Sequence, residues 1–243
     1  MPMMEGAGVE LHYEVRGEGS PVFLVHGLAA DAAAFAPLVA GLADRATTIA
    51  FDRRGYGSSG APEPYTATTV AEQAQDAAAL LAGLGLAGVT AVGEGFGALV
   101  VLDLIKRHAA LVGAAVVADP PLYAFVPEAT EIMSEERARL ERSLRHAGPA
   151  AAVEDWLAGR AGAERLGRAR EAHRGFLADY AGLASWPVTR AELRGLAPPI
   201  VVLTGPDTPA HVAAAADALA RLVPGGRRRY DGDLLGAVSE LLP

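Results

Sequence analysis

The sequence predicts an α/β protein: a mostly parallel sheet flanked by helices, with one helical insertion. Three observations carry this. Short, nearly continuous apolar runs recur along the chain, each followed by Gly, Asp or Pro, as strands buried on both faces require. Helical patterns alternate with them, the signature of parallel strands joined by crossover helices. One long stretch, 121–198, breaks this rhythm with several helical patterns and no convincing strand. The chain has 243 residues, 51% hydrophobic and 21% charged. That is enough to bury a full core in one large domain, and it excludes disorder, collagen-like repeats and coiled coil.

Residues 8–16 (GVELHYEVR) alternate apolar and polar, as a half-buried strand does. Buried strands follow at PVFLVHG (21–27), TTIAFD (47–52), VTAVGEG (89–95), GAAVVADP (113–120) and PIVVLTG (199–205), and a last one is expected at RRRYDG (227–232). Helices are expected over 32–43, 69–83, 96–110 and 211–222, with Thr68 or Thr69 as N-cap of the second. Within the insertion, helical patterns cover 134–146, 150–159 and 164–177. Six of the chain's 14 aromatic residues lie there: Tyr123, Phe125, Trp156, Phe176, Tyr180 and Trp186. The expected division is a core of residues 1–120 and 199–243 and a helical lid of residues 121–198, together one structural unit. Such a lid would stand at the C-terminal ends of the strands, where open α/β sheets bind ligands. The alternative is a helical layer packed on the sheet.

Composition excludes several classes. Cys is absent, which rules out disulfides, thiolate metal sites and a Cys nucleophile. The six His are scattered without metal-ligand spacing, so no metal is expected. The net charge of −8 opposes a phosphate backbone, so no nucleic-acid partner is expected. The first ten residues carry neither a basic nor an apolar leader pattern, and no apolar run is long enough to span a bilayer. The expectation is a soluble cytoplasmic protein with a small-molecule substrate or ligand, no membrane contact and no cofactor. The oligomeric state is left open.

Three motifs, in order, resemble the α/β-hydrolase superfamily. Val25-His26-Gly27-Leu28 follows the first buried strand. The resemblance implies that the residue after this Gly, Leu28, supplies a backbone N–H to an oxyanion hole. Asp52-Arg53-Arg54-Gly55-Tyr56-Gly57-Ser58-Ser59 looks like the family's D-x-R-G-x-G-x-S turn, in which Asp52 and Arg54 would tie the loop together. Val92-Gly93-Glu94-Gly95-Phe96-Gly97 stands where the family has its nucleophile elbow, G-x-S-x-G. Ala118-Asp119-Pro120-Pro121-Leu122 is also similar to bacterial members. The resemblance covers nearly the whole chain.

Two departures follow. Gly95 stands at the elbow's Ser position and has no hydroxyl, so no acyl-enzyme can form there. Gly also takes positive φ without strain, so it keeps the elbow's shape while deleting its chemistry. The family's base, a His after the last strand, would align with Asp233 or Leu234, and no His follows His211. What the resemblance leaves is an oxyanion hole of the Leu28 and Phe96 N–H groups, at the positive end of the helix that starts near Phe96.

The candidate residues each keep two readings. His26 is a hydrogen-bond donor or general base near neutral pKa, or a loop-shaping element. Glu94 is a base beside a desolvated pocket, or a carboxylate turned to neighbouring backbone. Asp119 and Asp207 are acids or bases at strand ends, or turn caps. Tyr123, Phe125 and Trp156 are an apolar substrate wall, or packing between insertion and core. Gly93 to Ala98 also fits G-x-G-x-x-A, a dinucleotide-binding pattern, with Asp119 at about the distance of its ribose-binding acid. The two upstream motifs and the Pro-Pro after Asp119 speak against that reading. Three functions remain. One is an atypical enzyme acting on a small, largely apolar carbonyl or ester-like compound through an oxyanion hole. Another is a catalytically inactive ligand binder. The last is an ordinary ester hydrolase in which Gly95 replaces a Ser.

Overall fold

The computed structural model describes residues 2–158, 163–183 and 186–243. In chain order the elements are β1 (Met3–Glu5), β2 (Glu10–Arg16), β3 (Ser20–Val25), α1 (Ala36–Leu42), β4 (Ala46–Phe51), α2 (Val70–Gly83), β5 (Val89–Glu94), α3 (Phe96–Arg107), β6 (Val112–Ala118), α4 (Ala129–Ala147), α5 (Pro149–Leu157), α6 (Ala163–Glu171), α7 (His173–Leu183), α8 (Arg190–Arg194), β7 (Ile200–Leu203), α9 (Ala210–Leu222), β8 (Gly226–Arg229) and α10 (Leu234–Ser239). The strands form one eight-stranded sheet in the order β1-β2-β4-β3-β5-β6-β7-β8. The β1–β2 and β2–β4 pairs are antiparallel and all others parallel.

The near-continuous apolar runs are the central strands. Val22, Phe23, Leu24 and Val25 of β3 and Val116 and Val117 of β6 have no exposed surface. Alternate residues feed two cores. Phe23 and Val25 join the one under α2 and α3, and Val22 and Leu24 join the one under α1 and α10. Phe23 stacks on Phe51 of the neighbouring strand at 5.1 Å, a pair worth about 0.5–1.5 kcal/mol beyond its burial. Of the two N-cap candidates of α2, Thr68 and Thr69, the cap is Thr69, in a reciprocal capping box with Glu72.

Four differences from the sequence reading have local causes. β1 was not expected, because three residues paired at a sheet edge carry no usable periodicity. The helix expected over 164–177 is two, α6 and α7, broken at Ala172. The end expected at Gly159 lies outside the described residues, and α5 closes at Leu157. The segment after β8, where the resemblance would put the family's His, becomes α10, whose Ala237 and Val238 are fully buried.

Asp52 does tie the turn after β4, but not through Arg54. It accepts from the Ala32 and Ser58 N–H groups at 2.9 Å each and meets the His12 ring at 2.8 Å. Arg54 instead makes a two-pronged pair with Asp76 of α2, at 2.6 and 2.8 Å. Arg53 runs inward. Its guanidinium donates to the His26 and Gly27 carbonyls at 2.8 Å each, and to Gln73 and Asp179 at 2.5 and 2.7 Å. Asp179, on α7, also accepts from the Tyr56 hydroxyl and the Gln73 amide. Both charges are fully buried. Burial pushes the Asp179 carboxyl pKa up, and the Arg53 charge opposes that.

Candidate functional site

The elbow is built by glycines that permit close approach. A Cβ on Gly93 would run into the Gly97 carbonyl, and one on Gly97 into the Val25 carbonyl. Gly95, between them, has φ 53° and ψ −118° as the N-cap of α3. Its Cβ direction is open, with the Gly27 Cα at 3.9 Å the only atom such a carbon would meet. The backbone here would accept a side chain at some conformational cost, and none is present.

Above Gly95 lies a cavity of about 310 Å³. Its described lining includes Gly27 and Leu28 after β3, Glu94, Gly95 and Phe96 of the elbow, and Ala118, Asp119, Pro121 and Tyr123 after β6. Met133 and Glu136 of α4, Trp156 of α5 and Tyr180 of α7 also line it. Phe96 is the first residue of α3, so its N–H has no acceptor within the helix. Two non-glycine residues with positive φ flank this space, Ala29 at 52° and Asp119 at 48°. Strained backbone of this kind persists where surrounding structure holds it, and it clusters at functional sites. A larger chamber, about 660 Å³ and mostly apolar, shares Pro121, Tyr123, Met133 and Tyr180 with the first.

Asp119 follows β6. Its Oδ1 accepts from the Thr208 hydroxyl at 2.7 Å, and Thr208 in turn accepts from the Gly205 N–H at 2.9 Å. Asp119 stands at the rim, but the atoms packed around its carboxyl push its pKa up. The Thr208 bond and the Arg228 charge pull against this without cancelling it.

The structure brings together Leu28, Glu94, Gly95, Phe96, Asp119, Tyr123 and Trp156 of the residues singled out in sequence. It does not bring the others. His26 is fully buried beneath the loop. Its Nδ1 bonds to the Gly27 carbonyl at 2.9 Å and its Nε2 accepts from the Arg53 N–H at 3.0 Å. A neutral ring with Nδ1–H donating and Nε2 accepting has no lone pair left for a substrate proton, so His26 shapes the loop and is not a general base. Asp207 is exposed in the turn after β7 and lines neither chamber. Phe125 also lines neither, and the Arg190 guanidinium lies 5.5 Å from its ring.

Leu234 belongs to α10 and packs on the core formed by β3, β4 and α1. Asp233 caps that helix through the Gly236 N–H at 2.8 Å, and Asp231 pairs with Arg229 at 2.6 Å. Neither Asp233 nor Leu234 lines the cavity. Sequence reasoning missed Met133 and Glu136, and it placed Tyr180 only among the insertion's aromatic residues. Met133 and Glu136 lie three apart on α4, one helical face, and that spacing was the available signal. Tyr180 carried none beyond being aromatic. Among the described residues no group of His, Asp or Glu could hold a metal ion, and no helix is long and apolar enough to cross a membrane.

The chain is similar to a 2-(acetamidomethylene)succinate hydrolase of Mesorhizobium japonicum, 33% identical over 153 residues, which are 63% of this chain and 52% of that protein. It is also similar to an uncharacterized hydrolase of Bacillus subtilis, YraK, 36% identical over 101 residues, 42% of this chain and 37% of the other. The matched stretches thus span only about a third to a half of these curated relatives. Among solved structures, an alpha/beta hydrolase from Sphaerobacter thermophilus superposes with a TM-score of 0.73 at 25% identity, covering 95% of this chain and 91% of that one. The model of the alpha/beta hydrolase fold family matches residues 20–141, half of the chain. That match takes in β3 and its His-Gly loop, the turn after β4, the glycine elbow and α4 as far as Glu141, and it places this chain in the alpha/beta hydrolase fold family.

Proposed function

We propose that this protein is an enzyme of the α/β-hydrolase fold that acts on a small, largely apolar carbonyl or ester-like compound without a Ser-His-Asp triad. The observation that carries the reading is the cavity over Gly95, with Glu94 and Asp119 both in its lining. The substrate carbonyl would lie over Gly95, in the space a serine side chain would otherwise take. The N–H groups of Leu28 and Phe96 would form its oxyanion hole, backed by the positive end of α3. One such donor is worth about 3–4 kcal/mol in a transition state. With His26 committed to the loop, proton transfer falls to Glu94 or Asp119. Residues 121–198 would act as the lid over this site.

The test is turnover of small aryl esters (the acetate and butyrate of p-nitrophenol) by the unaltered protein, Glu94→Gln and Asp119→Asn. The expected result is turnover above the spontaneous rate, falling by about 100-fold in the variant that has lost the base. Turnover indifferent to both substitutions would overturn the proton-transfer assignment.

One observation favours a second reading, a catalytically inactive ligand binder. The two positions where the resemblance would put the family's His are Asp233, which caps α10, and Leu234, which packs against the core. Saturable ligand binding with no turnover of any ester would select it. The ordinary-hydrolase reading, with Gly95 replacing a Ser, needs a His that residues 231–235 do not carry.

A further inference from the structure

The larger chamber has no role in the function proposed above, yet it adjoins that site. It measures about 660 Å³, against about 310 Å³ for the cavity over Gly95. Pro121, Tyr123, Met133 and Tyr180 line both spaces, so at those points a single side chain is all that stands between them. Met133 is unbranched, with three rotatable bonds, and such a side chain yields to a ligand at little cost. The chamber lies between the insertion and the core. Leu99 of α3, Leu122 after β6, and Ala129 and Leu140 of α4 line it and are buried, and Leu177 and Ala181, one turn apart on α7, line it as well. Its polar lining is gathered elsewhere. Thr130, Ser134 and Arg137 are exposed and Glu141 is partly so. Their spacing of four, three and four residues puts them on one face of α4, where Arg137 bonds Glu141 at 2.9 Å. The chamber thus has an apolar interior and a polar edge in contact with water. A compact substrate over Gly95 would leave that interior unfilled, whereas a chain entering it would gain about fourfold in affinity for each methylene buried.

We propose that the larger chamber seats an unbranched alkyl chain of the substrate, which runs from a carbonyl over Gly95 past Met133 and lies between α4 and α7. This rests on the cavity over Gly95 being the substrate site of the function proposed above, and it names the class of substrate: a medium-chain acyl compound or ketone. The polar edge sets a limit on the chain. One that outruns the apolar interior emerges at Arg137 and Glu141, where further methylenes meet water and add nothing.

The test uses straight-chain methyl ketones, which carry the carbonyl and the chain but need no reaction: 2-butanone, 2-hexanone, 2-octanone and 2-decanone. Binding to the full chain is measured by calorimetry. Affinity is expected to rise by about tenfold for each added pair of methylenes and then to level off. 2-Hexanone is expected to bind more tightly than 3,3-dimethyl-2-butanone, its compact isomer with the same number of carbons. Ala181→Phe and Leu177→Phe, which place a ring on the α7 side of the chamber, are each expected to flatten the rise with chain length. Affinity independent of chain length, equal binding of the two isomers, or no binding of 2-octanone would overturn the proposal. So would a rise left intact by both substitutions in proteins of unchanged Tm, because the chain would then lie elsewhere. Turnover of short esters by a protein with no chain-length preference would sink this inference and leave the proposed function standing. A rise that both substitutions flatten, in a protein that turns over no ester, would keep the chamber as a chain site and sink the proposed function.

Discussion

At the scale of single residues, the glycines of the elbow separate shape from chemistry. Gly97→Ala puts a methyl group into the backbone carbonyl of Val25, which cannot move without unpairing β3. The expected loss is about 2 kcal/mol or more, read by chemical denaturation. Gly95→Ser meets open space and pays only for its positive φ, about 1 kcal/mol. It is expected to fold normally and gain no ester hydrolysis, since no His is among the described residues lining the cavity; a large gain would mean that a group elsewhere, such as His211 beside Tyr123, serves as the base. Asp119 gives a pH signature. Its folded pKa is raised above the ordinary 3.8, so the folded state holds its proton more tightly than the unfolded chain does. The ionised carboxylate therefore costs stability at neutral pH, and the cost vanishes as pH falls below the ordinary value. Asp119→Asn is expected to raise Tm at neutral pH by a few tenths of a kcal/mol in stability, given how exposed the group is, with the gap closing in acid. If Asp119 is also the base, turnover falls as pH drops through that raised pKa. A Tm gap that widened in acid would reverse the assignment.

At the scale of elements, legibility followed locality. β3, β4, β5, β6 and β7 were readable because a strand buried on both faces writes itself as a run of Val, Ile and Leu. The start of α2 was readable to within one residue, at Thr68 or Thr69, because an N-cap is a local signal. What joins α7 to the core was not readable. Arg53 and Asp179 are 126 positions apart, and no spacing rule connects them. Yet this pair has large energetic consequences. Removing one partner leaves an uncompensated buried charge, at about 3–5 kcal/mol. Arg53→Met and Asp179→Leu are each expected to destabilise by that order, and the double variant by clearly less than their sum. Additive losses in that double-mutant cycle would mean that the two side chains do not act as a pair. Because Arg53 also holds the His26 and Gly27 carbonyls, it fixes the loop before Leu28 and, through Asp179, the helix that carries Tyr180.

At the scale of the whole molecule, the sequence pointed to where ligands should bind and to about half of the cavity wall. The half it showed comes from strand ends and tight turns, where residue type and position are coupled. The half it hid comes from α4 and α7, whose pocket-facing residues are set by how the helices dock and not by their own periodicity. The sheet's edges add a consequence of a different kind. β8 closes one edge with Gly226-Arg227-Arg228-Arg229. Arg228 folds back onto Asp217 and Thr204, and Arg229 onto Asp231 and Glu240. A foreign strand that approached this edge would have to displace guanidinium groups already paired and align beside three positive charges. Short, charged edges resist such additions. The three arginines thus act against strand addition at this edge: they let a sheet with a largely apolar interior end in water without offering itself as a template for aggregation.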